Sequence, residues 1–445
     1  MALVLAVPAR AQVGRFDVAI SSAPSPVGAG ARAAGVAGAF IALADDATAA
    51  SWNPGGLVQL ERPEASAVAL GAFQSDRVPD RATEDEDGYR LDRVFDGDAA
   101  SGRLNYLSAA LPFAWATRNA VVSLNYQQTF AFDRGFSLYH EETTSDSRQT
   151  SSTRFEQEGA LYAVSPAFAV ELTPELSIGS AVNFWLDGVG RSTAWSSRSE
   201  YITTLEFDGT RESHSTVYTR NDLFRGTNAT FGVLWKATTS ARLGAVVKLP
   251  FEASFRSVTD GYTDGVLGAE RRARLRMHLP LQFGLGGALA PSDAVRISLD
   301  VTHVRWGDFR LSDGDSNEYL ISGDPVSTSN PLYPPDGPPG GYHVDAVTTV
   351  RAGAEYLYRV EPLALAFRLG LLYDPEPSRG VPEDAYGGAA GFGVSWGSAS
   401  FDLAYQIRVA RQVDGVAVLR NLLSQPRNTI DFEQHDVYGS VIVYF

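Results

Sequence analysis

Arg272, Arg274 and Arg276 alternate with Ala273, Leu275 and Met277, so an extended backbone sets three guanidinium groups in one column on one face. Arginine offers paired donors to a planar anion, and such a column can receive a carboxylate. Lys248 and Arg351 fall on comparable polar faces of other alternating segments and complete the set of candidate carboxylate receptors. The competing reading is structural, because buried cations need partners and Asp45, Asp46, Asp300 and Glu355 are available. Other chemistries are poorly served. Gly393-Val394-Ser395-Trp396-Gly397 has nucleophile-elbow spacing, but it ends an alternating strand and no helix follows. Gly28-x-Gly30-x-x-Ala33 mimics a dinucleotide loop, yet Pro24 and Pro26 forbid the strand that must precede it. Asp313-x-Asp315-x-Asn317 opens like a calcium loop with Glu318 where glycine is required. The histidines form no i, i+4 pair and cysteine is absent. No metal, no cofactor and no catalytic residue is expected, and hence no enzyme.

These residues sit in a chain that alternates almost from residue 62 to its end. In 361–373, Leu363, Leu365, Phe367, Leu369, Leu371 and Tyr373 oppose Arg368; in 399–409, Phe401, Leu403, Tyr405, Ile407 and Val409 oppose Asp402, Gln406 and Arg408. Period-two contrast over roughly 10–17 residues is the length of a tilted membrane strand, about twice the soluble mean of about 5–6. In Arg272–Phe283 the apolar odd positions are assigned to lipid, which places the arginine column in the lumen. Short turns near 116–118, 173–175, 238–240, 291–293, 360–362 and 397–399 alternate with polar loops near 75–100, 132–156, 191–221, 259–268, 311–342, 374–385 and 411–430. Thirteen connections join fourteen strands with every long loop on one side, the asymmetry of an outer-membrane barrel. The net charge of −15 excludes a nucleic-acid partner. No stretch reaches the roughly 18–20 apolar residues of a membrane helix, which does not bear on a barrel.

The expected organisation is a residual signal peptide over 1–11, an N-terminal plug over 12–61 and a fourteen-stranded antiparallel all-β transmembrane barrel over 62–445. A lumen of this width is a channel unless filled, and the small-residue run GAGARAAGVAGAFIALADDATAASWNPGGL can pack inside it. Asp45 and Asp46 can cap a short helix over Ala47–Trp52, which Pro54 ends. Trp52, Trp115, Trp185, Trp235, Trp306 and Trp396 lie mostly near strand ends and read as girdle aromatics.

Ser22–Gly56, with its Ala-Asp-Asp step and Asn-Pro turn, resembles the N-terminal hatch of long-chain fatty acid outer-membrane transporters of the FadL/TodX type. Weaker matches are Asp300–Asp308 and Arg368–Tyr373 followed by Asp374-Pro375, and the chain ends on Phe445 as bacterial outer-membrane barrels do. The resemblance implies passive uptake of hydrophobic compounds, with long-chain fatty acids as the expected cargo. Ligand would pass an internal pocket, a moving hatch and a gap in the barrel wall framed by a kinked strand. It makes Asn53, Pro54 and Gly55, with Asp45 and Asp46, the candidate gate. A monomer in the outer membrane is expected. The third strand, 118–130, holds no Gly or Pro to mark the kink, whereas Pro112, Pro166, Pro250 and Pro280 interrupt other strands. Two alternatives are a partner-binding subunit of a secretion or surface assembly and an outer-membrane lipid hydrolase.

Overall fold

The computed structural model describes residues 29–77, 83–84, 90–143, 147–207, 209–314, 319–322, 345–375, 377, 384–414 and 429–445. The signal-peptide expectation, the first part of the plug and most of the calcium-like motif lie outside the described residues.

Fourteen strands close into one antiparallel barrel. They are β1 (Glu64–Arg77), β2 (Arg90–Trp115), β3 (Arg118–Ala131, then Arg134–Thr143), β4 (Arg148–Glu171), β5 (Leu176–Leu186, then Trp195–Glu206) and β6 (Thr210–Lys236). After them come β7 (Ala241–Lys248, then Phe251–Thr263), β8 (Arg271–Leu279, then Gln282–Ser292), β9 (Val295–Val304, then Arg310–Asp313) and β10 (Val347–Val360). The last four are β11 (Leu363–Tyr373), β12 (Ala385–Trp396), β13 (Ala399–Asp414) and β14 (Thr429–Tyr444). Each strand pairs with its neighbour in sequence, and β1 closes on β14 from Glu64↔Tyr444 to Arg77↔Asp431. Closure leaves no open edge, the condition for backbone to cross hydrocarbon.

On β11 and β13 the alternation reads correctly. Leu369, Leu371 and Leu403 are 69%, 71% and 58% exposed and face lipid, whereas Arg368, Asp402 and Arg408 are buried in the lumen. Trp115, Trp235 and Trp396 stand exposed at the short-turn ends of β2, β6 and β12, as a girdle requires. Trp52, Trp185 and Trp306, also assigned to the girdle, are instead buried inside.

Three expected loops are partly strands. Within 132–156 and 191–221 the chain continues as hairpin ribbons, β3 against β4 and β5 against β6, in unbroken register above the lipid-facing band, and within 75–100 Arg90–Asp96 of β2 pairs with the β3 extension. In 195–206 and 210–221 serine, threonine and charged residues fall at both odd and even positions, so these extensions lack the sustained apolar contrast that marks a membrane strand.

The largest correction concerns β8. It is not one strand over 272–283: Pro280 and Leu281 interrupt it, and its neighbour β7 is interrupted beside it at Leu249 and Pro250. Proline removes a ladder donor, and each break shifts which parity faces inward. Below the break Gln282 is inward and Phe283 outward; above it Leu275, Met277 and Leu279 are buried in the lumen. Arg272, Arg274 and Arg276, and His278 with them, therefore point away from the lumen.

Residues 29–60 fill the barrel near its short-turn end. Two short helices, α1 (Ala31–Gly35) and α2 (Ala49–Trp52), lead into a 3-10 turn over Pro54–Gln59. Phe40, Ile41, Trp52 and Leu57 of this plug are fully buried against inward wall residues such as Val121 and Val246.

Candidate functional site

The wall accepts the plug through inward glycines. A methyl group added at Gly232 on β6 would overlap Asn53 Oδ1 and lie 2.8 Å from Pro54 Cδ; one at Gly179 on β5 would overlap the Pro54 carbonyl group. Gly244 on β7 is similarly placed, 2.7 Å from the Ile41 carbonyl oxygen, and Gly353 and Gly370 on β10 and β11 meet Val36. Glycine weakens a strand, so these inward positions mark where plug backbone lies on barrel backbone.

Asn53, Pro54 and Gly55 occupy the seam. Asn53 is fully buried; its Nδ2 donates to the Ile41 carbonyl at 2.9 Å and to the Val233 carbonyl of β6 at 3.0 Å, and its Oδ1 accepts from Gly55 N at 3.0 Å. Ser177 on β5 donates to the Gly55 carbonyl at 2.8 Å. From β9, Asp300 accepts the backbone N–H groups of Phe40 and Ile41 at 2.6 and 2.7 Å.

Charge fastens the plug as well. Arg32 donates to Asp45 at 2.7 Å and, through Nε and Nη2, to Glu355 of β10 at 3.1 and 3.2 Å. Glu355 also accepts from Arg296 at 3.1 Å and from Arg368 at 2.7 Å, and Arg368 reaches Asp402 at 2.6 Å. Asp45 faces Arg296 and Arg242 at 3.6 and 3.7 Å. Burial alone would raise the Asp45 carboxyl, but Arg32, Arg296 and Arg242 outweigh it and hold it below its ordinary value. Asp46 accepts from Thr48 N and Thr48 Oγ1 at 2.8 and 2.6 Å, but α2 starts at Ala49 with Thr48 as its N-cap and no side-chain cap bond, so the expected capping of 47–52 is not what this carboxylate does. Burial pushes its carboxyl up. Asp45 does not cap; it is an ion-pair partner.

Arg351 is lumenal as expected and pairs with Asp374 at 3.5 Å, beside Arg408. The hatch and wall acids are thus matched to a set of arginines that does not include the 272–276 column.

Beyond the plug, uncharged side chains form a continuous path. Ser51 donates to Gln127 on β3 at 2.6 Å, and Gln127 donates to Ser165 on β4 at 3.2 Å. Ser165 donates to Asn183 on β5 at 2.7 Å, and Asn183 donates to Asn228 on β6 at 3.0 Å. Asn228 then donates to the Leu249 carbonyl at 2.9 Å, next to the break in β7. The third strand does carry an irregularity: its pairing with β4 shifts between Gln128 and Phe130. Pro112 stays in register with Val121, whereas the β4–β5 ladder lacks its rungs at Ser165 and Pro166.

Above this path lies a buried cluster of Phe130, Trp185, Trp195, Phe251, Met277 and Trp306 with further apolar residues from β3 to β10. Its rings pack closely: Phe132–Trp195 at 4.6 Å, Trp185–Phe251 at 4.7 Å and Trp195–Phe255 at 4.9 Å between centroids. Lys248 sits at its base with Nζ 5.2 Å from the Trp185 ring, whose Nε1 donates to Asn228 at 2.9 Å. The side chains of this cluster are buried and its surface is apolar. Sequence reading missed the cluster. Its signal was parity: Trp185 shares its face with Asn183 and Ala181, opposite the exposed Ile178, Val182 and Phe184.

The elbow-like motif is a hairpin, with Ser395 Oγ 2.7 Å from Ser400 Oγ. Among the described residues no group of His, Cys, Asp and Glu side chains could hold a metal.

The barrel is similar to several solved structures at the level of fold. A Pseudomonas aeruginosa FadL homologue aligns over 94% of this chain and 98% of its own at 14% identity with TM-score 0.62. The CymD monoaromatic hydrocarbon channel aligns over 95% and 98% at 14% identity with TM-score 0.53. The Ralstonia pickettii toluene transporter TbuX aligns over 95% and 99% at 14% identity with TM-score 0.52. No curated protein sequence matches the chain. The family model described as outer membrane protein transport protein (OMPP1/FadL/TodX) matches residues 14–414. A closed fourteen-stranded barrel with a plug bolted to its inner wall, matched over nearly its whole length, belongs to the OMPP1/FadL/TodX family of outer-membrane transport proteins.

Proposed function

We propose that the protein carries hydrophobic molecules passively inward across the outer membrane, and that its cargo is a long-chain fatty acid. The observation that carries this reading is the buried aromatic cluster with Lys248 at its base, between the long-loop side and the plug. An acyl chain gains by leaving water for the rings, and the ammonium group offers its carboxylate a counter-charge beside them. The protein acts as a monomer and not as an enzyme: the lumen supplies binding surface and a gate. Shifting the plug past Asn53, Pro54 and Gly55 opens the route. The lateral exit is at β3–β5, where the Gln128–Phe130 bulge and the missing rungs at Ser165 and Pro166 lie beside Gln127, the plug's partner.

The ring-rich lining favours a second cargo, an aromatic hydrocarbon, which needs no cation. Substituting Lys248→Met separates the two. Oleate binding, followed by tryptophan fluorescence, is expected to weaken by about tenfold, the scale of one charge-assisted hydrogen bond, with toluene and decane unchanged. Equal loss for all three ligands would remove the carboxylate role, and no loss for any would favour the hydrocarbon. Arg274→Ala and Arg276→Ala are expected to leave oleate binding as in the unaltered protein, since both side chains lie outside the barrel.

A further inference from the structure

The arginine column that does not serve the lumen forms part of a cluster on the outer face of β6, β7 and β8. Cross-strand register aligns it in three rows. Arg220, Val258 and Arg272 share one; Asp222, Arg256 and Arg274 the next; Arg225, Ser254 and Arg276 the third. Arg256 stands directly opposite Arg274. Like charges in that position destabilise a sheet unless a counter-charge is supplied. Part of it is internal: Asp222 accepts both Arg256 Nε and Nη2, at 2.8 and 2.7 Å. Arg272 pairs with Glu270, and Arg276 faces Glu252 at 3.9 Å. Arg225 and Arg274 are exposed and make no ion pair among the described residues. Asp187, which accepts from Leu223 N and Phe224 N, lies near Arg225 as well, and six arginines against these four acids leave the patch positive on a chain of net charge −15.

Its position specifies the occupant. Below it β7 and β8 present Leu243, Val247, Leu249, Phe283 and Leu285 outward, the lipid-facing band. Arg276 is five residues beyond Leu281, about 13 Å of height on a strand tilted by about 40°. Arg272 is four residues further, about 10 Å higher. A cluster spread over that range lies beyond the level of acyl chains, at the depth of phosphorylated sugars. We propose that it docks the phosphorylated headgroup of an outer-leaflet glycolipid, with Arg225, Arg256, Arg274 and Arg276 as its phosphate ligands. Guanidinium forks match phosphate oxygens, and a basic cluster flanking an apolar band is the usual form of an anionic-headgroup site.

The test uses the full chain in neutral detergent, titrated with a bisphosphorylated glycolipid and with the same lipid after phosphatase treatment, binding being read by native mass spectrometry. The phosphorylated lipid is expected to bind at least about tenfold more tightly. Arg225→Gln with Arg274→Gln, which breaks no ion pair among the described residues, is expected to remove about the same factor while the barrel keeps its heat-modifiable migration. Equal binding of the two lipids to the unaltered protein would overturn the proposal. So would a folded double variant that binds the phosphorylated lipid undiminished, or full displacement of that lipid by millimolar inorganic phosphate. If the double variant does not fold, the comparison of the two lipids on the unaltered protein decides alone.

Discussion

Gly232→Val is expected to turn a closed barrel into a conducting one. The added Cβ would take the place of Asn53 Oδ1 and press on Pro54 Cδ, both held by a seam with no slack. Overpacking a filled site costs about 1–3 kcal/mol. The plug can relieve it by moving away from β6, which breaks the bond from Asn53 to the Val233 carbonyl and threatens that from Ser177 to the Gly55 carbonyl. Those bonds contribute about 1 kcal/mol each, comparable to the strain, so displacement becomes favourable. Planar-bilayer recordings should register a steady conductance absent from the unaltered protein, and cells should become sensitive to large hydrophilic antibiotics. Gly102→Val, on β2 with nothing within 4 Å of its would-be Cβ, should do neither. A closed Gly232→Val barrel would mean that the seam tolerates a side chain and does not hold the plug.

Glu355→Ala is expected to have the largest effect on stability. One carboxylate receives Arg32, Arg296 and Arg368, and its side chain is 2% exposed. Removing it leaves these three cations, with Arg242, facing Asp45, Asp46 and Asp402. Breaking a buried ion pair by deleting one partner costs about 3–5 kcal/mol, because the remaining charge stays desolvated. The same substitution cuts the ion pair between the plug and β10 and leaves the close packing of Val36 on Gly353. The midpoint of the heat-modifiable gel shift should fall, and the emission of Trp52, isolated by replacing the other tryptophans, should change at lower denaturant than the barrel unfolds. A midpoint equal to that of the unaltered protein would show that Asp45 and Asp46 suffice to hold Arg32. Arg359→Ala, at an exposed strand end, should leave both readings alone.

The barrel was legible in the sequence because alternation on strands such as β11 and β13 is uninterrupted and the face opposite the apolar one carries Arg368, Asp402 and Arg408. Alternation reports two faces, however, and does not say which is inside. In 272–283 the apolar face is taken for the lipid side only if the lumen is polar. That fails where the lumen is itself apolar, and the phase shift at Pro280 hid the failure by joining an inward Leu279 to an outward Phe283. The plug was legible from its small residues and its Asn-Pro turn, but its fastenings were not. Asn53 finds Val233 from a position 180 residues away, and Arg32 finds Glu355 from 323. Strand glycines such as Gly179 and Gly232 could have located the seam, since nothing else justifies their cost on an inward face. The third strand had no Gly or Pro, and its bulge arises from cross-strand register, which one strand's sequence does not contain.

Passage of cargo through the aromatic cluster on its way to the plug is the central proposal. Its most direct test is to supply a diazirine-labelled fatty acid to the protein in outer-membrane vesicles, irradiate, and map the adducts by mass spectrometry. Adducts on peptides carrying Trp185, Lys248 and Phe251, removed by excess oleate, are the expected result. Adducts confined to lipid-facing residues such as Leu369 and Leu371, unchanged by oleate, would contradict it.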